Sequence, residues 1–86
     1  MMYYIYIPNQ IKRAVKKFPR SIQERIEEAL TLLETNPYLG LKMHGERDEQ
    51  RKIKVSNYRI IYQVIESKIV IEILEIESRG NTSYDR

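Results

Sequence analysis

RKIKVSNYRIIYQVIESKIVIEILEI, residues 51–76, is the stretch that decides the fold. Apolar and polar residues alternate through most of it, and β-branched and aromatic side chains dominate. That is the pattern of strands rather than helices. Short polar breaks at Ser56-Asn57 and Glu66-Ser67 predict tight turns, hence three antiparallel strands over 51–55, 58–65 and 68–76. A two-residue turn at Ser56-Asn57 pairs Val55 with Tyr58, Lys54 with Arg59, Ile53 with Ile60 and Lys52 with Ile61. One face then carries Ile53, Val55, Tyr58, Ile60, Tyr62 and Val64. Continuing through the second turn adds Ile69, Ile71 and Ile73. A slip of one residue would turn all of them to solvent, so the apolar pattern fixes the register.

Upstream the period changes. Residues 3–7 are short, aromatic and β-branched, and read as a strand. Pro8 ends it, and Asn9 is placed to cap a helix. Ile11, Ala14, Val15 and Phe18 recur at i, i+3, i+4 and i+7, one face of that helix, and Pro19 breaks it. Residues 21–24, Ser-Ile-Gln-Glu, read as a capping box for a second helix. Ile22, Ile26, Ala29, Leu30 and Leu33 form its apolar stripe, and Asn36-Pro37 stops it. Residues 38–50, with Gly40, Gly45 and a charged run, read as a loop. The order β-α-α-β-β-β predicts an α+β fold: a helix hairpin packed on one face of a small, mainly antiparallel four-stranded sheet.

The chain of 86 residues has room for one core and is read as one domain. It has no cysteine, which excludes a disulfide framework, a thiolate nucleophile and a zinc-thiolate site. A single histidine, His44, falls in the expected loop and leaves no basis for a His-rich metal site or a Ser-His-Asp triad. Neither a metal nor a cofactor is expected. No apolar run approaches the ~20 residues of a membrane helix. The start lacks the basic and long apolar stretches of a signal peptide. A soluble cytoplasmic protein is the expectation.

The net charge of +3 is unevenly spread. Residues 1–20 carry five bases, Lys12, Arg13, Lys16, Lys17 and Arg20, and no acid. Residues 41–60 carry six bases against three acids. The two remaining segments are acidic on balance. Two basic blocks suit a polyanionic partner; they are also what a solvated helix face and a charged loop look like.

The sharper signal lies on the sheet face opposite the apolar one. Lys52 and Lys54 stand roughly 6.6–6.8 Å apart along their strand. Lys54 faces Arg59 with Cβ atoms about 4.5–5.5 Å apart, and like charges so placed destabilise a sheet. Folding alone does not favour the cluster, whereas a bound anion does. Glu72 falls on the same face and is the expected counter-ion. The C-terminal residues 78–86 are polar and bring Arg79 and Tyr84 toward this face, where a Tyr ring can stack on a base.

This constellation resembles the RelE branch of the RelE/ParE toxin superfamily, the messenger-RNA interferases of toxin–antitoxin systems. The resemblance spans nearly the whole chain and is densest from Lys52 to Tyr84. It rests on the two lysines, the Tyr58-Arg59-Ile60-Ile61-Tyr62 strand, Arg79 and Tyr84. It implies a ribosome-dependent endoribonuclease that enters the decoding site and cuts messenger RNA by attack of a ribose 2′-hydroxyl on the adjacent phosphate, without a metal. It also implies a cognate RelB-like antitoxin. Lys52, Lys54, Arg59, Arg79 and Tyr84 match the functional positions. Arg59 and Lys52 would stabilise the charged phosphate. Lys54, beside two cations, and Tyr84 are alternative bases. Arg79 matches the position at the leaving 5′-oxygen. Lys12, Arg13, Lys16 and Lys17 resemble the surface that relatives turn toward ribosomal RNA. Two departures stand out: Arg51 replaces a commonly aromatic residue, and the sequence ends at Arg86, before a further helix found in some relatives. A ParE-like DNA gyrase inhibitor would share the fold and the Tyr58–Tyr62 pattern without requiring the five-residue set. A non-catalytic RNA-binding domain is the third reading.

Overall fold

The computed structural model describes residues 2–45 and 49–78. The chain runs through strand β1 (Tyr4–Tyr6), helix α1 (Asn9–Val15), helix α2 (Arg20–Thr35), and strands β2 (Leu41–Lys42), β3 (Gln50–Val55), β4 (Tyr58–Ile65) and β5 (Val70–Ser78). The sheet has the order β1-β5-β4-β3-β2. β1 lies parallel to β5, and every other pair is antiparallel. The fold is α+β, with two helices on one face, as expected. The sheet has five strands rather than four, because residues 41 and 42 pair with Lys52 and Arg51. A two-residue strand has no alternation long enough to read.

The β3–β4 register is the expected one throughout: Lys52 with Ile61, Ile53 with Ile60, Lys54 with Arg59, Val55 with Tyr58. The next connection differs. The turn takes four residues, 66–69, and β5 starts at Val70 opposite Ile65. Ile69 therefore leaves the apolar face and sits in the turn at φ 55°. Parity survives, so Val64 still faces Ile71 and Tyr62 faces Ile73. The pairing then shifts between Ile61 and Tyr62, whose partners are Glu75 and Ile73. Leu74 is the extra residue of a β-bulge. It moves Ile76 onto the core face opposite Ile60 and puts Glu75 and Glu77 on the other face.

The core joins Ile22, Ile26, Ala29 and Leu33 of α2 to Val55, Ile60, Tyr62, Ile71 and Ile73 of the sheet. Ile5, Ile7, Ile11, Val15 and Phe18 pack at its margin. The helix boundaries correct the sequence reading at both starts. Pro8 and Pro19 occupy the N-cap positions, and neither helix has a side-chain cap. Asn9 and Ser21 lie inside the first turns, so the capping box does not form. Instead Gln23 reaches back and donates to the carbonyls of Phe18, at 2.9 Å, and Lys16, at 3.3 Å. This satisfies orphan acceptors after α1. α1 ends at Val15; Ala14 is exposed, and Phe18 lies in the bend, its ring tilted against that of Tyr58 with centroids 4.6 Å apart.

Candidate active site

Three strands place one residue each in a row on the sheet face away from the helices. Lys54 of β3 is paired with Arg59 of β4, which is paired with Glu77 of β5. The next row is Lys52, Ile61 and Glu75. Arg59 donates from Nε to Glu77 Oε2 at 2.7 Å, and its Nη2 stands 2.5 Å from the same oxygen. Both side chains are partly exposed, 32% and 41%. Within this half-wet setting the pair orients two groups more than it stabilises the fold. Lys52 is half-buried and Lys54 is exposed. Neither ammonium makes a hydrogen bond or ion pair with a described residue. A cleft of about 440 Å³ adjoins them, lined by Leu39, Gly40, Leu41, Lys52, Ile53 and Lys54. Two lysines bordering a cleft, with Arg59 on the neighbouring strand, carry the donors that a phosphate requires, since each cation can meet a phosphate oxygen with a charge-assisted bond.

The support beneath is rigid. Tyr62 is fully buried; its hydroxyl donates to Pro37 O at 2.9 Å and accepts from Gly40 N at 2.8 Å. Burial pushes its pKa above the ordinary 10.0, against the opposing pull of the Gly40 amide and the Arg51 charge. Arg51 donates to Gly40 O at 2.8 Å and lies 4.9 Å from the Tyr38 ring centroid. Tyr38 in turn donates to Glu66. These bonds seat residues 37–42 against the edge of β3, where Lys52 begins the cation row.

The structure thus brings Lys52, Lys54 and Arg59 together. Arg79 and Tyr84 lie outside the described residues. Lys12, Arg13, Lys16 and Lys17 are exposed on and just after α1, on the helix side of the sheet. They do not join the other cations. Lys12 and Lys16 border an apolar groove of about 280 Å³ lined by Ile7, Val15, Ile26, Leu30 and Ile76. The expected counter-ion is corrected: Glu72 sits opposite Gln63, which donates to it at 3.0 Å, and Glu77 holds Arg59. The bulge decides this, since strict alternation from Ile73 would turn Glu77 toward the core. The adjacent apolar pair Ile73-Leu74, with glutamates at 72 and 75, is the trace it leaves in the sequence.

Comparison with known proteins places this geometry. The profile of the family described as the ParE toxin of the type II toxin-antitoxin system, parDE, matches residues 6–82. The chain belongs to this toxin family. Within the RelE/ParE superfamily it is similar to the mRNA interferase toxin RelE of Escherichia coli (strain K12), with 26% identity over 81 residues, covering 92% of this chain and 85% of the relative. Among solved structures, RelE of the archaeal RelE-RelB complex from Pyrococcus horikoshii OT3 superposes with a TM-score of 0.77 at 28% identity, covering 94% of this chain and 99% of that one. The toxin-antitoxin complex RelBE2 from Mycobacterium tuberculosis gives 0.80 at 21% identity, over 92% and 100%, a likeness of fold. The RelE/ParE resemblance and its α+β architecture hold.

Proposed function

We propose that this RelE/ParE-type toxin is a ribosome-dependent endoribonuclease that cuts messenger RNA in the decoding site. The observation that carries the reading is the cation cluster: Lys52 and Lys54, without a partner among the described residues, beside Arg59 on the sheet face away from the helices. A relative named an mRNA interferase, 26% identical across most of both chains, supports it. The reaction is attack of a ribose 2′-hydroxyl on the adjacent phosphate, with no metal. Negative charge gathers on the phosphate oxygens in the transition state, and Arg59 and Lys52 meet it. Arg79 and Tyr84 complete the set, at the leaving oxygen and on the target base. The ribosome supplies position: holding the 2′-oxygen near attack geometry replaces catalytic power that a lysine–arginine site lacks. The protein acts in the cytoplasm, and a RelB-like antitoxin is its partner, a reading supported by the RelB-bound archaeal neighbour.

The matched family's description favours a second reading, a ParE-like inhibitor of DNA gyrase. It has no use for the cation row. Two assays run together separate them. Purified protein is added to ribosomes programmed with a defined messenger, and separately to gyrase with relaxed plasmid. Decoding-site cleavage with unimpaired supercoiling is expected. Intact messenger with blocked supercoiling would replace the ribonuclease reading by the gyrase one.

A further inference from the structure

The segment seated on Tyr62 presents two large apolar side chains to water beside the lysines. Leu39 is 43% exposed and Leu41 69%. Register places Leu41 directly across from Lys52 on the face away from the helices. Side chains so paired have Cβ atoms about 4.5–5.5 Å apart. We infer that Leu39 and Leu41 form an apolar shelf for the base of a messenger nucleotide beside the cut, with Lys52 and Lys54 at its phosphate. The inference rests on the ribonuclease reading and deepens it by naming a substrate contact.

A single exposed leucine means little. Here two flank a glycine that is fixed on three sides. A Cβ on Gly40 would stand 2.7 Å from Lys52 O. Its amide donates to the buried Tyr62 hydroxyl at 2.8 Å, and its carbonyl accepts from Arg51 at 2.8 Å. The backbone that carries the leucines is held before any ligand arrives, so little ordering remains to oppose binding.

The lining decides the ligand. Leu39, Leu41 and Ile53 supply apolar surface, Lys52 and Lys54 supply charge, and no acid is among the described residues of the cleft. A nucleotide divides in the same way, into a base with flat apolar faces and an anionic phosphate. Bases out of the stack are held against apolar and aromatic side chains, and single-stranded RNA exposes its bases for such contact. The volume of about 440 Å³ lies within the roughly 300–1,000 Å³ of small-ligand sites, room for one nucleoside. Arg59, paired with Lys54, carries the positive charge onto the next strand. A phosphodiester chain leaving the cleft follows that line, whereas a protein segment has no charge repeated at every unit to follow it. The shelf binds and moves no proton, so it acts on ground and transition states alike.

The test compares the wild type with a Leu39→Ala/Leu41→Ala double variant on programmed ribosomes, after thermal unfolding has checked that the variant keeps its fold. Single-turnover cleavage is followed against toxin concentration. The messengers are the intact one and two that keep the ribose but lack the base, on one side of the cut or the other. The variant should need about tenfold more toxin for its half-maximal rate, from lost apolar contact. Its saturating rate should stay within about threefold of the wild type. One baseless messenger should weaken the wild type to a similar degree and the variant little further, because both changes remove the same contact. A Leu39→Met/Leu41→Met variant keeps the apolar surface and should match the wild type. An unchanged half-maximal concentration in the alanine variant would overturn the inference. So would base-removal penalties equal in wild type and variant at both positions, which would give the leucines to a ribosomal or protein contact. A fall in saturating rate alone would also overturn it, reducing the leucines to a support for the lysines. Each of these leaves wild-type cleavage, and the ribonuclease reading, standing. Intact messenger with the wild type overturns that reading, and the shelf with it.

Discussion

Tyr62 shows how much one hydroxyl can organise. Its ring fills the core, and its oxygen joins Pro37 O to Gly40 N where no water reaches. Tyr62→Phe leaves that carbonyl and amide buried without partners, which should cost about 1–3 kcal/mol in urea unfolding. The same residue gives the fold a defined alkaline limit. Its folded pKa is raised by burial, so above the ordinary value of 10.0 the unfolded chain releases the proton while the folded protein keeps it. Stability is intact below that pH and falls as pH climbs from there toward the folded value. Unfolding at pH 8 and pH 11 should show a loss in the wild type that is smaller in Tyr62→Phe; equal losses would contradict it. The alternation in the sequence announced Tyr62 as core, but its partners are backbone groups of the 37–40 segment, and no side-chain pattern encodes those. Glu77 was hidden for a related reason. Counting by twos from Ile71 reaches Ile73 correctly and then fails at Leu74.

At the scale of elements, legibility followed length. In β3 and β4, six and eight residues long, Ile53, Val55, Tyr58, Ile60, Tyr62 and Val64 share one phase, and the register is the one that phase dictates. Lys54 and Arg59 faced each other on paper for the same reason. β2 has two residues, and its place depends on Gly40. A Cβ there would stand 2.7 Å from Lys52 O and 2.7 Å from the Tyr62 hydroxyl. The carbonyl belongs to backbone and cannot swing aside. Gly40→Ala should therefore cost about 1–3 kcal/mol by overpacking. For a chain of this size that lowers Tm by about 4–8 °C per kcal/mol. An unchanged melt would show that β2 is not seated as described. The helix starts differ from the sequence reading because Ser and Asn are good caps in general, yet Asn9 directly follows Pro8, Ser21 lies two residues past Pro19, and the two prolines already hold the cap positions.

Over the whole molecule, charge is divided by the sheet. Lys52, Lys54 and Arg59 occupy the face away from the helices; Lys12, Arg13, Lys16 and Lys17 lie on the helix side. Composition revealed two basic blocks but not that they look in opposite directions, since that depends on packing. If the α1 cations meet ribosomal RNA, replacing all four by glutamine should weaken ribosome binding and flatten its salt dependence by about one log unit per log salt for each lost phosphate contact. The rate on pre-bound ribosomes should hold. An unaltered salt slope would mark this surface as solvated only. The most direct test of the central claim is the single-turnover rate of messenger cleavage on programmed ribosomes for wild type and Arg59→Ala, with 5′ ends mapped by primer extension. The cation row predicts cuts in the decoding-site codon and a rate about 10²–10³ lower in the variant. Equal rates, or no cut by the wild type, would contradict it.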